Sequence, residues 1–67
     1  MKIKIEIFDD GGYSFMKGVK LPIIVEGRPY GHDYVVETQE LQKVGVPIKG
    51  YSPEYKWCFL SKEAWEV

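Results

Sequence analysis

The stretch Lys2-Ile3-Lys4-Ile5-Glu6-Ile7-Phe8 alternates isoleucine with charged side chains over residues 2–8. Successive side chains of a β-strand point to opposite faces, so this alternation places the three isoleucines on one face and the charges on the other. The pattern predicts a half-buried strand whose isoleucines face a core. Ile5, at its centre, is predicted to be a core residue.

The residues that follow predict a turn and a returning strand. Asp9-Asp10-Gly11-Gly12 is a turn signal, because Asp and Gly tolerate the left-handed backbone of tight turns. We expect residues 13–16 to return antiparallel to the first strand, with a bend at Gly18. Pro22 cannot donate to a sheet, so the third strand is predicted over Ile23–Glu26, at an edge or after a kink.

The middle of the chain predicts a hairpin and a short segment of mixed character. Residues Gly27–Asp33 are dense in turn formers and form a predicted seven-residue connection to a strand over Tyr34–Glu37. Over Thr38–Val44 the pattern becomes polar around two apolar residues, which fits one or two helical turns or an irregular strand. In the helical alternative Thr38 is the N-cap and Gly45 follows the C-terminus.

The C-terminal third predicts the last two strands. A loop over Gly45–Glu54 precedes a strand over Tyr55–Leu60, a tight turn over Ser61–Ala64 and a terminal strand over Trp65–Val67, with Trp65 in the core. Five or six short strands favour an all-β, mostly antiparallel fold, either a small barrel or a bent sheet with one short helical turn. A chain of 67 residues holds a single domain, residues 1–67.

Composition supports the same fold class. Ile, Val, Phe, Trp and Tyr supply 23 of the 30 apolar residues, and such side chains fit a pleated surface better than a helix. Nine basic and ten acidic side chains give a net charge of −1, without the basic excess typical of nucleic-acid-binding proteins. The sequence shows no signal peptide or membrane span and has one free cysteine, so we expect a complete cytoplasmic chain.

Two segments resemble Src-homology-three-type small β-barrels. Residues 13–21, Tyr-Ser-Phe-Met-Lys-Gly-Val-Lys-Leu, lead into Ile23-Ile24-Val25-Glu26 and are similar to the aromatic strand, Lys-Gly bend and apolar strand of such barrels. Residues 59–67 are similar to their 3₁₀ turn and last strand. The resemblance implies an SH3-like barrel. It does not imply recognition of proline-rich peptides. Only four residues connect the first strand to Tyr13, where the peptide-binding family has a long loop, and Trp57 lacks the adjacent second Trp of that family's peptide groove.

Catalytic side chains are scarce. Cys58 and His32 are the only thiol and imidazole, and Cys58 lies in a predicted strand, where a buried packing thiol is the usual role. His32 lies in a predicted loop, so we expect a surface histidine rather than a base for Cys58. Asp9 and Asp10 are expected to be a solvated turn, because a calcium site needs six or more oxygen ligands. The sequence predicts no enzyme, no cofactor and no bound metal.

Aromatic side chains supply the strongest functional signal. They form 15% of the chain, more than so small a core can hide. Tyrosines in loops beside an arginine are typical of protein interfaces, although the same tyrosines can cover the ends of a barrel as lids. The residues predicted to contact a partner are Arg28, Tyr30, His32, Tyr51 and Tyr55.

Two functional classes follow. The first is a non-catalytic module that docks on a larger protein, as phage- or mobile-element-type inhibitors, modulators and accessory subunits do; self-association into a homo-oligomer belongs to the same class. The second is a nucleic-acid-binding barrel, in which aromatic rings stack on bases and basic side chains contact phosphates. Its candidate residues are Tyr13, Phe15, Tyr34 and Trp57 with Lys2, Lys4, Lys17, Lys20 and Arg28.

Overall fold

A computed structural model describes residues 1–67. The chain forms five strands, one turn of 3₁₀ helix at Ser14–Met16 and one short α-helix. The elements are β1 (Ile3–Ile7), β2 (Ile23–Tyr30), β3 (Asp33–Glu37), α1 (Thr38–Lys43), β4 (Lys56–Phe59) and β5 (Ala64–Glu66). All strand pairs are antiparallel, in the order β4-β3-β2-β1-β5. The all-β, mostly antiparallel fold is confirmed in its bent five-stranded form.

Strand β2 joins the two halves of the sheet. Its first half pairs with β1 as far as Gly27, and its second half, from Arg28, pairs with β3. Gly27 lies at this crossing point, where a Cβ atom would meet the carbonyl oxygen of Val35 at 2.7 Å and Ile5 Cδ1 at 2.7 Å. The predicted seven-residue connection is therefore wrong, since Gly27 permits close backbone approach inside a strand and does not make a turn.

The actual β2–β3 turn contains only Gly31 and His32. Gly31 has a φ of 63°, the left-handed backbone that a tight two-residue hairpin requires. Pro29 lies within β2 opposite Tyr34. That position is a non-hydrogen-bonded pair, because the Tyr30–Asp33 pair next to the turn and the Arg28–Val35 pair carry the ladder bonds. A strand can therefore accept proline there without losing a hydrogen bond to β3.

The predicted strand over residues 13–16 is also wrong. Gly11 and Gly12, with φ of 64° and 79°, turn the chain, and their N–H groups donate to the carboxylates of Asp9 and Asp10. The chain then enters the 3₁₀ turn, and Met16 inserts into the core. The neighbours of β1 are instead β2 and β5.

Helix α1 confirms the helical alternative for the segment after β3. Its N-cap is Glu37, one residue before the predicted Thr38, whereas Gly45 follows the helix in the left-handed conformation at φ 94°. The N–H of Gly45 donates to the carbonyl of Gln42 and the N–H of Val46 to that of Leu41. These two bonds form a Schellman motif, which directs Val46 back onto Leu41. Both side chains are buried in the core.

The core lies between the halves of the bent sheet and is closed by α1 and by residues 45–50. Its buried apolar side chains are Ile5, Ile7, Met16, Val25, Val36, Leu41, Val46, Ile48, Phe59 and Ala64. Ile5 is confirmed as a core residue. Trp65 is not one: its side chain is 54% exposed, because Ala64 occupies the inward position opposite Ile7 and places Trp65 on the outer face opposite Glu6.

Helix α1 is joined to the N-terminal segment by a buried carboxylate. Glu40 is nearly fully buried and accepts a 2.8 Å hydrogen bond from Lys2 Nζ, with Lys43 Nζ at 3.4 Å. The bond from Lys2 holds the pKa of Glu40 below its ordinary value, against the opposing effect of burial. The Lys2–Glu40 ion pair thus connects helix α1 to the residue just before β1.

We expect Glu40 to make stability depend on pH. A carboxyl group whose pKa is lower in the folded state stabilises the fold above its unfolded-state pKa, and the contribution is lost as pH falls through the folded-state pKa. The stability difference between wild type and Glu40→Gln should therefore be full at neutral pH and shrink below about pH 4.3. Urea titrations across this range measure the difference. Glu54→Gln, at an exposed carboxylate, is the control, and an equal pH dependence in both variants would contradict the role of Glu40.

No helix in the structure has the length and apolar character needed to cross a membrane.

Candidate functional site

Six aromatic rings gather at one side of the molecule and form what we term the aromatic cluster. Neighbouring rings have centroids between 4.7 and 5.4 Å apart. The members of the cluster are Tyr13, Phe15, Tyr51, Tyr55, Trp57 and Phe59. They come from three separate parts of the chain: the β1–β2 connection, the loop before β4, and β4 itself.

Trp57 is the centre of this cluster and is held in place by hydrogen bonds. Its indole Nε1 donates to Thr38 Oγ1 at 2.9 Å, and Thr38 Oγ1 donates to the carbonyl of Tyr55 at 3.0 Å. The Trp57 ring contacts Phe15 edge-on at 4.7 Å. Because its only side-chain N–H is already bonded, the half-buried Trp57 exposes ring surface but no free side-chain hydrogen-bond donor.

Tyr13 attaches the β1–β2 connection to the outer edge of β4. Its hydroxyl donates to the carbonyl of Cys58 at 2.7 Å, and its ring stacks on Phe15. Burial raises the pKa of Tyr13, so the hydroxyl remains a hydrogen-bond donor through the neutral range. This contact fixes the position of Phe15 beside Trp57.

Tyr51 and Tyr55 form the exposed rim of the cluster, with 50% and 51% of their surface accessible. Their rings contact each other at 5.3 Å and contact Trp57 at 4.8 and 5.0 Å. These separations equal ordinary aromatic contact distances, so no gap between the rings is wide enough to enclose a ligand. On the outside of the rim, the phenolic hydroxyls of Tyr51 and Tyr55 have no hydrogen-bond partner within the chain, unlike that of Tyr13.

The five residues predicted to contact a partner do not form one surface. Tyr51 and Tyr55 come together, whereas Arg28, Tyr30 and His32 lie on the β2–β3 hairpin. Tyr30 lies opposite Asp33, and Tyr55 is bonded to Thr38. Asp33 and Thr38 are five residues apart along the chain, so Tyr30 and Tyr55 are separated by about 16 Å in the strand direction. Arg28 pairs with Val35 and thus lies on the sheet face opposite Trp57. Partner binding by these five residues stays a prediction.

The sequence pattern does not indicate that Phe15 and Trp57 lie in one cluster with Tyr51 and Tyr55. Phe15 and Trp57 were assigned only to the nucleic-acid alternative, together with Tyr13 and Tyr34. The structure brings Tyr13, Phe15 and Trp57 together, but Tyr34 packs against the core. The available signal was the alternation of Tyr55, Trp57 and Phe59, which already placed these rings on one strand face.

Two basic residues of the nucleic-acid alternative, Lys2 and Arg28, lie among acidic ones. Lys2 is bonded to the buried Glu40. Around Arg28 a shallow depression of the surface is lined mainly by charged side chains of both signs. They are Lys2, Glu26, Arg28, Glu37, Glu40 and Lys56. A mixed lining of this kind does not form the continuous positive surface that phosphates require.

Cys58 and His32 show no arrangement for nucleophilic catalysis. Cys58 is half-buried in β4 opposite Val35, and burial raises the pKa of its thiol. A raised pKa keeps the thiol protonated, whereas a reactive cysteine needs a lowered one. His32 is exposed in the hairpin turn. The structure contains no group of three or more His, Cys, Asp or Glu side chains placed to hold a metal ion.

Comparisons with known proteins leave the chain without an assigned family. No model of a protein family, no curated protein and no solved structure matches it. The case for a function therefore rests on the residues and geometry described above.

Proposed function

We propose that this chain is a cytoplasmic, non-catalytic protein-binding module that docks on a larger protein through the aromatic rim. The observation that carries the proposal is the pair of half-exposed tyrosines, Tyr51 and Tyr55, held against a Trp57 ring that Thr38 immobilises. Inhibitors, modulators and accessory subunits of larger assemblies act in this way, by occupying a surface.

The aromatic rim has the physical properties of an interface hot spot. Tyrosine and tryptophan bring a large contact area, and they are the residue types whose loss most often costs binding energy. Binding to rings that are already packed in place loses less side-chain entropy than binding to free ones. The free phenolic hydroxyls add hydrogen bonds to polar groups of a partner. Phe15 extends the same surface on its other side.

Substitution of the rim tyrosines tests the proposal. The double variant Tyr51→Ala/Tyr55→Ala should remain folded, losing about 1–2 kcal/mol from ring contacts, and should release a protein that wild type retains from native cytoplasm. Affinity capture with mass identification, repeated with the purified partner by titration calorimetry, measures the effect. Loss of a hot-spot pair predicts an affinity weaker by at least about 30-fold.

The control is Tyr30→Ala, at a tyrosine that is 67% exposed on the other end of the sheet. It should retain the same protein, because Tyr30 is outside the rim. Nuclease treatment of the lysate removes any protein captured through nucleic acid, so capture that disappears with nuclease would favour the nucleic-acid alternative. If the rim variant unfolds while Tyr30→Ala does not, the tyrosines are lids of the core and the proposal fails.

A further inference from the structure

The two edges of the sheet differ in how other parts of the chain cover them. β4 and β5 are the edge strands, and an edge strand exposes backbone groups that can pair with another strand. The outer edge of β4 is covered at Cys58, because Tyr13 donates its hydroxyl to the Cys58 carbonyl and its ring lies against Trp57 and Phe59. No comparable contact covers β5.

Glu66 carries the free backbone groups of β5. The Phe8 N–H donates to the Glu63 carbonyl, and the Val67 N–H donates to the Lys4 carbonyl. These two bonds determine which residues of β5 direct their backbone N–H and C=O groups toward β1. Hydrogen-bonded pairs alternate along an antiparallel ladder, so Trp65 bonds to Glu6 while both backbone groups of Glu66 point away from β1. The other outward N–H, that of Ala64, is already bonded to the carbonyl of Leu60.

An exposed apolar strip lies beside this edge on the outer face of β1, β2 and β5. Its four side chains are between 38% and 62% exposed. They are Phe8, Ile24, Trp65 and Val67. Trp65 is rigid, since its ring contacts Phe8 at 4.8 Å and its Nε1 donates to Glu6 at 2.6 Å. A free edge next to rigid apolar side chains is the arrangement that strand addition uses.

We propose that a second copy of this chain pairs with the β5 edge, antiparallel, to give one continuous sheet of two molecules. Antiparallel pairing of identical strands is twofold symmetric, so each copy supplies the free donor and the free acceptor that the other needs. Pairing centred on Glu66 uses both of its free groups in each copy and places Trp65 beside Val67 of the second copy, on the face that carries the strip.

Charge on this face favours a second copy over a strongly charged partner. The net charge of the chain is −1, so two copies are not held apart by long-range repulsion. Charged residues around the strip are of both signs, with Lys4 paired opposite Glu26 and Glu6 bonded to Trp65. The two Glu66 side chains would face each other across the twofold axis, and this local repulsion keeps the dimer weak. The proposal is independent of the aromatic rim.

Two substitutions at Glu66 should have opposite effects on association. Glu66→Pro removes the free N–H without breaking a bond inside the chain, so it should leave the fold intact and abolish the dimer. Glu66→Ala keeps the N–H and removes the repulsion, so it should associate at least as strongly as wild type. Sedimentation velocity from dilute solution up to about 1 mM measures both, with circular dichroism as the check of folding.

A second pair of variants tests the strip without altering the backbone. Val67→Lys, at the strip residue that lies beside Trp65 of the second copy, should weaken the dimer at least about 10-fold, whereas Tyr30→Lys, at a similarly exposed position off the strip, should not. In wild type, slowed exchange of the Glu66 amide with rising concentration would support the pairing. A chain that is monomeric at about 1 mM, or a dimer that Glu66→Pro and Val67→Lys leave unchanged, overturns the proposal. The proposal also fails if an extended segment of another protein, rather than a second copy, occupies the edge.

Discussion

Replacing Gly27 with alanine should destabilise the fold more than the same replacement at any other glycine of the chain. The new Cβ would lie 2.7 Å from the Val35 carbonyl oxygen, 2.7 Å from Ile5 Cδ1 and 3.0 Å from Val36 Cγ2. The Ile5 methyl can rotate away, but the carbonyl belongs to the paired strand β3 and cannot move without breaking the ladder. We expect a loss of about 2–4 kcal/mol, which is most of the stability of a domain this small.

The matched control is Gly12→Ala. Gly12 has a φ of 79° and nothing within 4 Å of its added Cβ, so the substitution tests backbone strain without a clash and should cost about 1 kcal/mol. Urea unfolding of both variants gives the comparison. Combining Gly27→Ala with Ile5→Val removes one of the three close contacts and should recover only part of the loss. A Gly27→Ala variant as stable as Gly12→Ala would contradict the close approach at the crossing point.

Gly27 also shows why the sequence predicted the strands better than their connections. A strand such as residues 2–8 is visible because its alternation is local. A glycine two residues before a proline has the same local appearance whether the chain turns there or another strand approaches closely. Only the positions of Ile5 and Val35, which the sequence does not reveal, distinguish the two cases.

The same limit applies to residues 13–16. Tyr13 and Phe15 alternate with polar and apolar neighbours as strand residues do, and the local pattern predicted a strand. In the structure both rings pack on Trp57, which is distant in sequence. The energy of that ring contact and of the Tyr13 hydrogen bond to β4 outweighs the weak local preference for an extended chain.

The candidate site could be predicted only in part. Tyr51 and Tyr55 were identified because exposed aromatic residues in or beside a loop are a local signal. Their contact with Trp57, and the separation of Tyr30 from them, depend on strand register and on the length of β2. Trp65 is predicted in the core, but alternation over so short a strand does not reveal which face points inward. In the structure the small Ala64 lies on the inward face and Trp65 on the outer one.

Truncating Phe59 to alanine should leave the chain largely unfolded at room temperature. Phe59 is the largest fully buried side chain, so its loss removes apolar burial and leaves a cavity that the backbone of β4 cannot close. Core Phe→Ala substitutions cost about 3–5 kcal/mol, and the whole core of a domain under 70 residues supplies about that amount. Thermal and urea unfolding followed by near- and far-ultraviolet circular dichroism measure the loss.

Phe8→Ala removes an identical side chain from the outer face, where it is 38% exposed. It loses the ring contact with Trp65 but leaves no cavity, so we expect a cost of about 1 kcal/mol and a cooperative transition like that of wild type. The contrast between the two variants separates core packing from aromatic content. Phe59 also contacts Tyr13 at 5.4 Å, so the intermediate variant Phe59→Leu should stay folded while loosening the Tyr13 ring, visible as a weaker near-ultraviolet tyrosine signal. Equal stability of Phe59→Ala and Phe8→Ala would show that the core does not depend on Phe59.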